Sequence, residues 1–447
     1  MTKRSRPIAP PVKARRRGPA PDRTPELPLD FDQTRGSPRA DALIRELISF
    51  REFGQPTRQV LTAVPTSQGG LLKVPTFVNE FWTARQRQAS SLHEVSYRAC
   101  FKPQLPRFFI QRLTQPGEVV YDPFMGRGTT VLEAALLDRV PMGNDINPLS
   151  VTMTEPRLSP PTLAQVEQRL AEIDFSGDDK IPDDDLLVFY HPDTLRGIAA
   201  LRKYLLRQRA ADRLDSLDKW IALVALNRLT GHSNGFFSVY TLPPNQATSA
   251  HAQRKINSKR NQQPPQRDIV RLILKKTRQL LSDVDPEVRD RLARRSTQAR
   301  LVTRPANDTP EIPSDSVTLI VTSPPFLNVV QYANDNWLRC WFLGIDVKSV
   351  RLTLPTKLAQ WQAVMAEAFR EFRRVLKPGG HVAFEVGEVH NGKTKLEEAV
   401  LPCGVGAGLK PVLILINDQE FTKTANCWGV DNMAKGTNTN RVVLFRK

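Results

Sequence analysis

Two short motifs in this 447-residue chain carry residue types that could do chemistry. The first is a glycine-rich turn between a predicted strand and a predicted helix, and it reads Asp122-Pro-Phe124-Met-Gly126-Arg-Gly128-Thr129. Glycines in such a turn let a ligand approach bare backbone. The next predicted strand ends at Asp145, whose carboxylate is placed to accept hydrogen bonds from ribose hydroxyls. An ordinary turn is the alternative, because it can have the same Gly-x-Gly spacing. A nicotinamide dehydrogenase is disfavoured, because the third glycine of its motif is missing.

The second motif is Ser323-Pro324-Pro325-Phe326, which comes shortly after the apolar run Val317–Val321. An apolar run of this length predicts a central parallel strand. Open α/β sheets bind ligands at the carboxyl ends of their strands, so we expect the two motifs to meet at one crevice. A proline turn after a strand is the alternative when the second motif is taken alone.

Together the two motifs resemble those of the amino-methylating DNA methyltransferases, which transfer a methyl group from S-adenosyl-L-methionine to cytosine-N4 or adenine-N6. The resemblance covers roughly residues 95–150 and 300–447. It implies an α/β, Rossmann-like class I methyltransferase fold with a seven-stranded, mostly parallel sheet and helices on both faces. It assigns cofactor binding to Asp122, Phe124, Gly126, Gly128, Thr129 and Asp145.

The resemblance assigns catalysis to Ser323, Pro324, Pro325 and Phe326. An exocyclic amine is a poor nucleophile because its lone pair is delocalised into the ring. Hydrogen bonds to the Ser323 oxygen and the Pro324 carbonyl would draw the amine toward a tetrahedral geometry, and Pro325 would hold that carbonyl rigidly. Phe326 would stack on a base flipped out of the duplex. Serine at this position favours cytosine-N4 and leaves adenine-N6 as the alternative.

The net charge of +18 is concentrated in two segments. Residues 1–40 carry ten Lys/Arg against four Asp/Glu among eight prolines, which predicts a disordered basic tail. Residues 201–300 carry 21 Lys/Arg against eight Asp/Glu. They lie in a predicted insertion, residues 151–300, in which helical spacing is common and Asp268 is a predicted helix N-cap.

Part of the insertion, from Gly231 to Gln266, is a polar stretch that interleaves aromatic and basic residues. Its aromatic residues are Phe236, Phe237 and Tyr240, and its basic residues are Arg254, Lys255, Lys259 and Arg260. Cations neutralise phosphates and rings stack on bases, so we expect this stretch to bind double-stranded DNA and to recognise the target. A solvated loop whose aromatic side chains dock on neighbouring helices is the alternative.

The remaining elements of the fold follow the second motif. An amphipathic pattern from Trp361 to Leu376 predicts a helix that ends at Lys377-Pro378-Gly379-Gly380 and precedes a strand, His381–Gly387. Val412–Ile416 and Arg441–Phe445 suit the last two strands, the final one antiparallel. Further candidates for the pocket or for a contact to adenine are Asn307, Asp308, Tyr332, Asn336, Trp337 and Arg339.

These assignments divide the chain into a basic tail, two parts of a methyltransferase domain and an insertion between them. The ranges are 1–40 for the tail, 41–150 and 301–447 for the domain, and 151–300 for the insertion. The four cysteines, Cys100, Cys340, Cys403 and Cys427, show no C-x-x-C spacing, which argues against a disulfide scaffold or a cysteine zinc site. Cys403 also lacks the Pro-Cys-Gln run of ring-carbon cytosine methyltransferases.

No stretch approaches 18 consecutive apolar residues, so a membrane span is not expected. We expect a cytoplasmic, nucleoid-associated protein of bacterial type, with double-stranded DNA as its substrate and a restriction endonuclease as its counterpart. An RNA base methyltransferase and a catalytically inactive DNA-binding relative are the alternative functions. The sequence predicts no metal site and gives no oligomeric state.

Overall fold

A computed structural model describes most of the chain. The described residues are 37–66, 69–83, 89–97, 100–175, 184–241, 248–325, 332–346, 355, 357–389, 394–418 and 439–447. Most of the predicted basic tail, the aromatic residue Phe326 of the second motif, and Cys427 lie outside these residues.

A mixed sheet forms the centre of the described part of the molecule. Its strands are β1 Arg58–Pro65, β2 Leu71–Asn79, β3 Val119–Asp122, β4 Val140–Asn144, β5 Arg300–Val302, β6 Val317–Thr322, β7 Leu376–Val386, β10 Lys410–Asp418 and β11 Thr439–Arg446. The short strands β8 Glu388–Val389 and β9 Thr394–Lys395 form a separate hairpin.

The strand order across the sheet is β1-β2-β10-β11-β7-β6-β3-β4-β5. Strands β5, β4, β3, β6, β7 and β10 run in one direction, and β11 lies antiparallel between β10 and β7. These seven strands confirm the predicted class I methyltransferase fold, including the antiparallel final strand. All six residues of β6 are buried, as expected for the middle of a sheet covered on both faces.

The structure differs from the predicted seven strands at one edge. Strands β1 and β2 pair as an antiparallel hairpin, and β2 then adds parallel to β10. The hairpin comes from residues upstream of the resemblance. The side chains of its outer strand, β1, are exposed or half-buried except for the buried Val64, which is typical of a strand at a sheet margin.

Helices cover both faces of the sheet and fill the segment between β4 and β5. Their bounds are α1 Pro38–Ser49, α2 Gln104–Leu113, α3 Thr129–Leu136, α4 Leu149–Leu158, α5 Leu163–Glu172, α6 Pro192–Ala210, α7 Ser216–Leu226, α8 Ala250–Arg260, α9 Ile269–Leu280, α10 Pro286–Ser296, α11 Tyr332–Leu343, α12 Leu358–Val375 and α13 Leu396–Gly406. Helices α1 and α2 pack on one face, and α12 and α13 on the other. None of the described helices is long and apolar enough to cross a membrane.

The segment between β4 and β5 is helical from α4 to α10, in keeping with the sequence pattern. Its buried side chains share one hydrophobic cluster with helix α3. Asp268 caps α9, and its side chain accepts a hydrogen bond from the Arg271 amide. Helix α8 lies within the polar stretch Gly231 to Gln266, for which no helix was predicted. Its apolar signal is weak, but Ser249 caps its first turn and Asn261 closes it in the left-handed conformation.

The predicted turn Lys377-Pro378-Gly379-Gly380 lies inside strand β7. The ladder to β6 begins at Leu376, is interrupted, and resumes at His381. Gly379 has a φ of +78°, and its amide donates to the carbonyl of Lys447. The turn is therefore a bulge in a longer strand, because backbone pairing continues on both sides of it.

Candidate active site

The glycine-rich turn connects β3 to α3 and needs glycine at two positions. Gly126 and Gly128 have φ values of +51° and +74°, which side chains other than glycine rarely adopt. A Cβ on Gly128 would also lie 2.3 Å from the hydroxyl of Thr154 on α4. A Cβ on Gly126 would make only ordinary contacts, the nearest with the Tyr97 ring at 3.6 Å. Gly128 is thus required by packing, whereas Gly126 presents bare backbone.

Asp145 follows β4 and is fixed by backbone amides. Its Oδ2 accepts from the Gly126 amide and its Oδ1 from the Asn147 amide, each at 2.8 Å. Burial raises the pKa of this carboxyl, while the two amide donors lower it. Each oxygen keeps further lone pairs for a ligand, because a carboxylate has about four acceptor positions.

The second motif follows β6 at the same edge of the sheet. The hydroxyl of Ser323 donates to Glu385 Oε2 at 2.5 Å, and Pro324 is buried. The carbonyl of Pro325 accepts from the indole Nε1 of Trp361 on α12, at 3.0 Å. The turn is thus held from two sides, by β7 and by α12.

One cavity of about 250 Å³ joins the two motifs. Gly126 and Asp145 contribute from the cofactor side, and Ser323 and Pro325 from the other. The remaining lining residues are Tyr97, Pro123, Phe124, Ile146, Asn147, Pro305, Ala306, Asn307, Pro355, Trp361, Val364, Met365, Glu367 and Ala368. The expected crevice between the two motifs therefore exists.

Three predicted cofactor residues, Asp122, Gly128 and Thr129, lie outside this lining and are buried. Asp122 Oδ1 accepts from the hydroxyl of Thr322 at 2.6 Å and from the Phe124 amide at 3.1 Å. Burial raises the pKa of Asp122 to about 7. Asp122 ends β3 and Thr322 ends β6, so their hydrogen bond connects the two strands from which the motifs depart.

Helix α3 makes a second link to β6, the strand that precedes the second motif. The hydroxyl of Thr130 donates to the carbonyl of Val321 at 3.0 Å. Thr129 accepts from Arg127 Nε at 3.1 Å. The two threonines that follow the glycines therefore stabilise the turn and its neighbour strand. We call the pair of contacts Asp122–Thr322 and Thr130–Val321 the strand clamp.

Three candidates on α11, after the second motif, are not among the described residues that line the cavity: Asn336, Trp337 and Arg339. Asn336 and Arg339 are buried and bonded to each other at 2.8 Å. Trp337 packs against Phe189, with ring centroids 5.9 Å apart, and its Nε1 donates to the Thr248 carbonyl. Trp337 therefore packs in the core instead of lining the cavity, and it connects α11 to the residues just before α8.

The remaining candidates are Asn307, Asp308 and Tyr332. Asn307 lines the cavity, whereas its exposed neighbour Asp308 does not. Tyr332 begins α11, and its side chain lies outside the described part of the chain.

Several residues of the site were not predicted. Trp361 supplies both a wall and a hydrogen bond, yet in the sequence it only begins an amphipathic pattern. Glu385 interrupts a buried strand with a charge, which is the signal that could have identified it. Tyr97 and Asn147 are joined by a hydrogen bond of 3.4 Å at the cavity, and no local pattern marks Tyr97.

The basic stretch of the insertion is only partly available for a ligand. Arg254 forms an ion pair with Asp185, and the Arg260 guanidinium lies 3.9 Å from the centre of the Tyr240 ring. Lys255 and Lys259 are exposed, and they lie one turn apart on α8.

The aromatic residues of this stretch are not exposed as a set. Phe237 is fully buried in the helical cluster, and Phe236 is half-buried with the Arg228 guanidinium 4.1 Å from its ring centre. The expectation of exposed stacking rings is therefore wrong for Phe237, because its apolar ring gains more by docking on the helices.

Comparisons with known proteins agree with the geometry. Residues 59–155 match the family model described as DNA methylase. The Type II methyltransferase M.MjaII of Methanocaldococcus jannaschii is 29% identical over 89 residues, which are 20% of this chain and 16% of that protein. The Type II methyltransferase M.MvaI of Kocuria varians is 26% identical over 164 residues, which are 33% of this chain and 36% of that protein. The chain thus spans well under half the length of either relative.

Solved structures are more distant. TrmN from Thermus thermophilus is 14% identical, with 88% of this chain and 60% of that chain covered at a TM-score of 0.31. The rRNA methyltransferase AviRa from Streptomyces viridochromogenes is 12% identical, with 80% and 89% covered at a TM-score of 0.31. The fold assignment therefore depends on the strand order itself. The family match over residues 59–155 and the two Type II relatives agree with both motifs, so the chain is similar, over part of its length, to the amino-methylating DNA methyltransferases.

Proposed function

We propose that this protein methylates an exocyclic amino group of a flipped-out base in DNA, with cytosine-N4 as the target. The observation that carries the proposal is the single cavity lined by Asp145, Gly126 and Ser323. A methyl donor held by the first two residues would lie beside the hydroxyl of the third. No group has to travel between separate sites.

The cavity suits S-adenosylmethionine. Asp145 offers carboxylate oxygens to ribose hydroxyls, and Gly126 lines the cavity with backbone and has no side chain of its own. Phe124, Ala306 and Met365 supply apolar walls for a flat purine. When bound, the cofactor supplies a methyl group on a positively charged sulfur, which is a strong methyl donor. The protein's main task is then alignment of the amine with that methyl group.

Ser323 and Pro324 would align the amine. The Ser323 oxygen and the Pro324 carbonyl can each accept one N–H of the amine, which directs its lone pair toward the donor. Trp361 holds the following carbonyl of Pro325, so the turn does not have to reorganise during the reaction. Phe326, which we propose as the stacking residue, lies outside the described residues.

We propose that the helical insertion is the target-recognition region and that α8 contacts the DNA backbone. Lys255 and Lys259 are exposed, and neither has an acidic partner among the described residues. The contact between Trp337 and Thr248 connects this helix to the element that follows the second motif. Phosphate contacts would position the duplex, whereas base contacts would specify the sequence.

The chemical product tests the proposed function. The protein is incubated with DNA and labelled S-adenosylmethionine, and the digested nucleosides are identified by mass. We expect N4-methylcytosine. N6-methyladenine would move the assignment to the other branch of the family, label found only with RNA would make the protein an RNA methyltransferase, and no label would contradict an active enzyme.

Two substitutions test the catalytic turn. Ser323→Ala and Pro324→Ala should each lower the methylation rate at least ~100-fold, to a residual rate that can still be measured, and leave the dissociation constant of the cofactor unchanged. Ser316→Ala is the matched control, because Ser316 precedes the same strand and its hydroxyl donates to the carbonyl of Pro313, away from the turn. Full activity of both turn variants would contradict the assignment.

A further inference from the structure

A buried glutamate lies directly behind Ser323. Glu385 is 4% exposed, on strand β7. Strands β6 and β7 are parallel, with Thr322 paired to Phe384, so Ser323 and Glu385 are the next residues along and lie side by side. Glu385 Oε2 accepts the Ser323 hydroxyl at 2.5 Å, and Oε1 accepts Asn440 Nδ2 at 3.1 Å.

This contact decides which way the Ser323 hydroxyl points. A hydroxyl has one proton and two acceptor lone pairs. With its proton donated to Glu385, Ser323 can only accept from a group in the cavity. An amine needs an acceptor at this position. Without the carboxylate, the hydroxyl could rotate and donate into the cavity, which would oppose binding of an N–H.

We propose that Glu385 acts through Ser323 as a positioning residue and as the final proton acceptor of amine methylation. The proposal rests on the proposed function. It follows from the pairing of a cavity hydroxyl with a carboxylate that has no other acidic or basic partner among the described residues.

The proton and electron balance is complete. The amine nitrogen forms a bond to the methyl carbon as the bond from that carbon to sulfur breaks. The sulfur keeps the bonding electrons and becomes neutral, and the nitrogen becomes positive. The nitrogen then gives one proton to the Ser323 oxygen, while the Ser323 proton passes to Glu385 Oε2. Glu385 ends as a neutral acid and later releases its proton to water.

The surroundings of Glu385 favour this role. Burial raises the pKa of its carboxyl, and the hydrogen bonds from Ser323 and Asn440 lower it. Arg441, on the adjacent strand, pairs in the ladder with Val386 and so points to the opposite face, where it bonds Glu397. Within the described residues, Glu385 therefore faces two neutral donors and no cation, which makes it a stronger base than a carboxylate in water.

A rate profile against pH tests the proposal. Glu385 has to be ionised to accept the proton, so turnover should fall as the pH drops through its pKa. In Glu385→Gln the amide would donate to Ser323 and reverse the hydrogen bond. We expect kcat to fall at least ~100-fold, as for loss of a general base, with the acid limb gone and both KM values within about twofold. Unchanged kcat and an unchanged profile would overturn the proposal.

Three further variants separate this role from a structural one. In a Ser323→Ala background, Glu385→Gln should cause no additional loss, whereas an independent structural effect would add. Glu385→Asp should restore part of the rate. Glu371→Gln is the matched control, because Glu371 is also a buried glutamate but bonds Thr309 and Arg374.

Asn440→Ala keeps the test possible if Glu385→Gln does not fold. It removes one donor to the carboxylate and leaves the Ser323 contact in place, so the acid limb should move to higher pH. An acid limb that does not move would contradict the relay. If wild-type protein makes no methylated nucleoside, the proposed function fails. If wild type is active and these variants match it, only the role of Glu385 fails.

Discussion

At the scale of single residues, Asp145 combines two roles. Its oxygens hold the amides of Gly126 and Asn147, and their other lone pairs are left for a ligand. Asp145→Ala should weaken cofactor binding by about 1.5–3 kcal/mol, because charge-assisted hydrogen bonds are lost. Titration calorimetry measures this directly. Asp41→Ala, in the first turn of α1, removes a carboxylate away from the cavity and should leave the affinity unchanged.

Asp122 gives a pH dependence of stability. Burial raises its pKa to about 7, so the folded protein binds a proton that the unfolded chain has released above its ordinary pKa near 4. Stability attributable to this group is therefore present at low pH and is lost as the pH rises from about 4 to about 7. The loss amounts to about 4 kcal/mol at most, at ~1.4 kcal/mol for each pKa unit.

Urea unfolding of Asp122→Asn at pH 5 and pH 8 checks this. The variant keeps an acceptor for Thr322 but cannot ionise, so wild type should lose stability relative to it as the pH rises. Asp138→Asn is the control, because in the wild-type protein Arg295 holds the pKa of the Asp138 carboxyl below its usual range. That variant should not reproduce the effect. Parallel curves for wild type and Asp122→Asn would contradict a buried, proton-binding Asp122.

At the scale of elements, the strand clamp connects the end of β3 to the end of β6. Asp122 and Thr322 are 200 residues apart in the chain, yet their side chains lie 2.6 Å apart. Thr322 immediately precedes Ser323, so the contact fixes the position from which the catalytic turn departs. The glycine-rich motif is thus bonded to the strand that carries Ser323, which we propose as the catalytic residue.

Thr322→Val tests the clamp, since valine keeps the shape and removes the hydroxyl. We expect turnover to fall about tenfold or more, because small displacements of a catalytic group are costly. The cofactor dissociation constant should stay within about twofold. Thr318→Val is the matched control: its buried hydroxyl, on the same strand, has no hydrogen-bond partner among the residues that the structure describes. Equal turnover in the two variants would mean that the clamp does not position Ser323.

The elements also show how much of the fold and of the site the sequence predicts. Apolar runs predicted β3, β4 and β6, and the motifs at their ends predicted a shared crevice, because backbone geometry sends the carboxyl ends of parallel strands to one edge. Helix α8 was missed, since its stability comes from caps and neighbours rather than from an apolar face. Trp361 and Glu385 were missed for a related reason: their roles depend on which elements become neighbours, and local spacing does not encode this.

At the scale of the whole molecule, the exposed basic residues and the cavity lie on different parts of the fold. The cavity contains few charges, with Asp145 and Glu367 as its acidic lining residues. The cationic surplus of the described chain lies in the insertion, where α8 presents exposed lysines. A polyanion would thus be held beside the cavity rather than in it, and the base would have to leave the duplex to reach Ser323.

The salt dependence of DNA binding tests this separation. Each phosphate contact contributes about 0.9 to the slope of log K against log salt concentration. Lys255→Gln with Lys259→Gln should therefore reduce the slope by up to about 1.8. Fluorescence anisotropy at several salt concentrations measures the slope, and cofactor affinity should not change.

The matched control neutralises two exposed lysines at the opposite edge of the sheet. Lys73 lies on β2 and Lys410 begins β10, and these strands run parallel to β6, so their amino ends lie away from Ser323. Lys73→Gln with Lys410→Gln removes the same net charge and should leave the slope close to that of wild type. If both pairs lower the slope equally, binding responds to net charge alone and α8 is not the DNA surface. If only the α8 pair lowers it, the surface that holds the phosphates lies on the insertion.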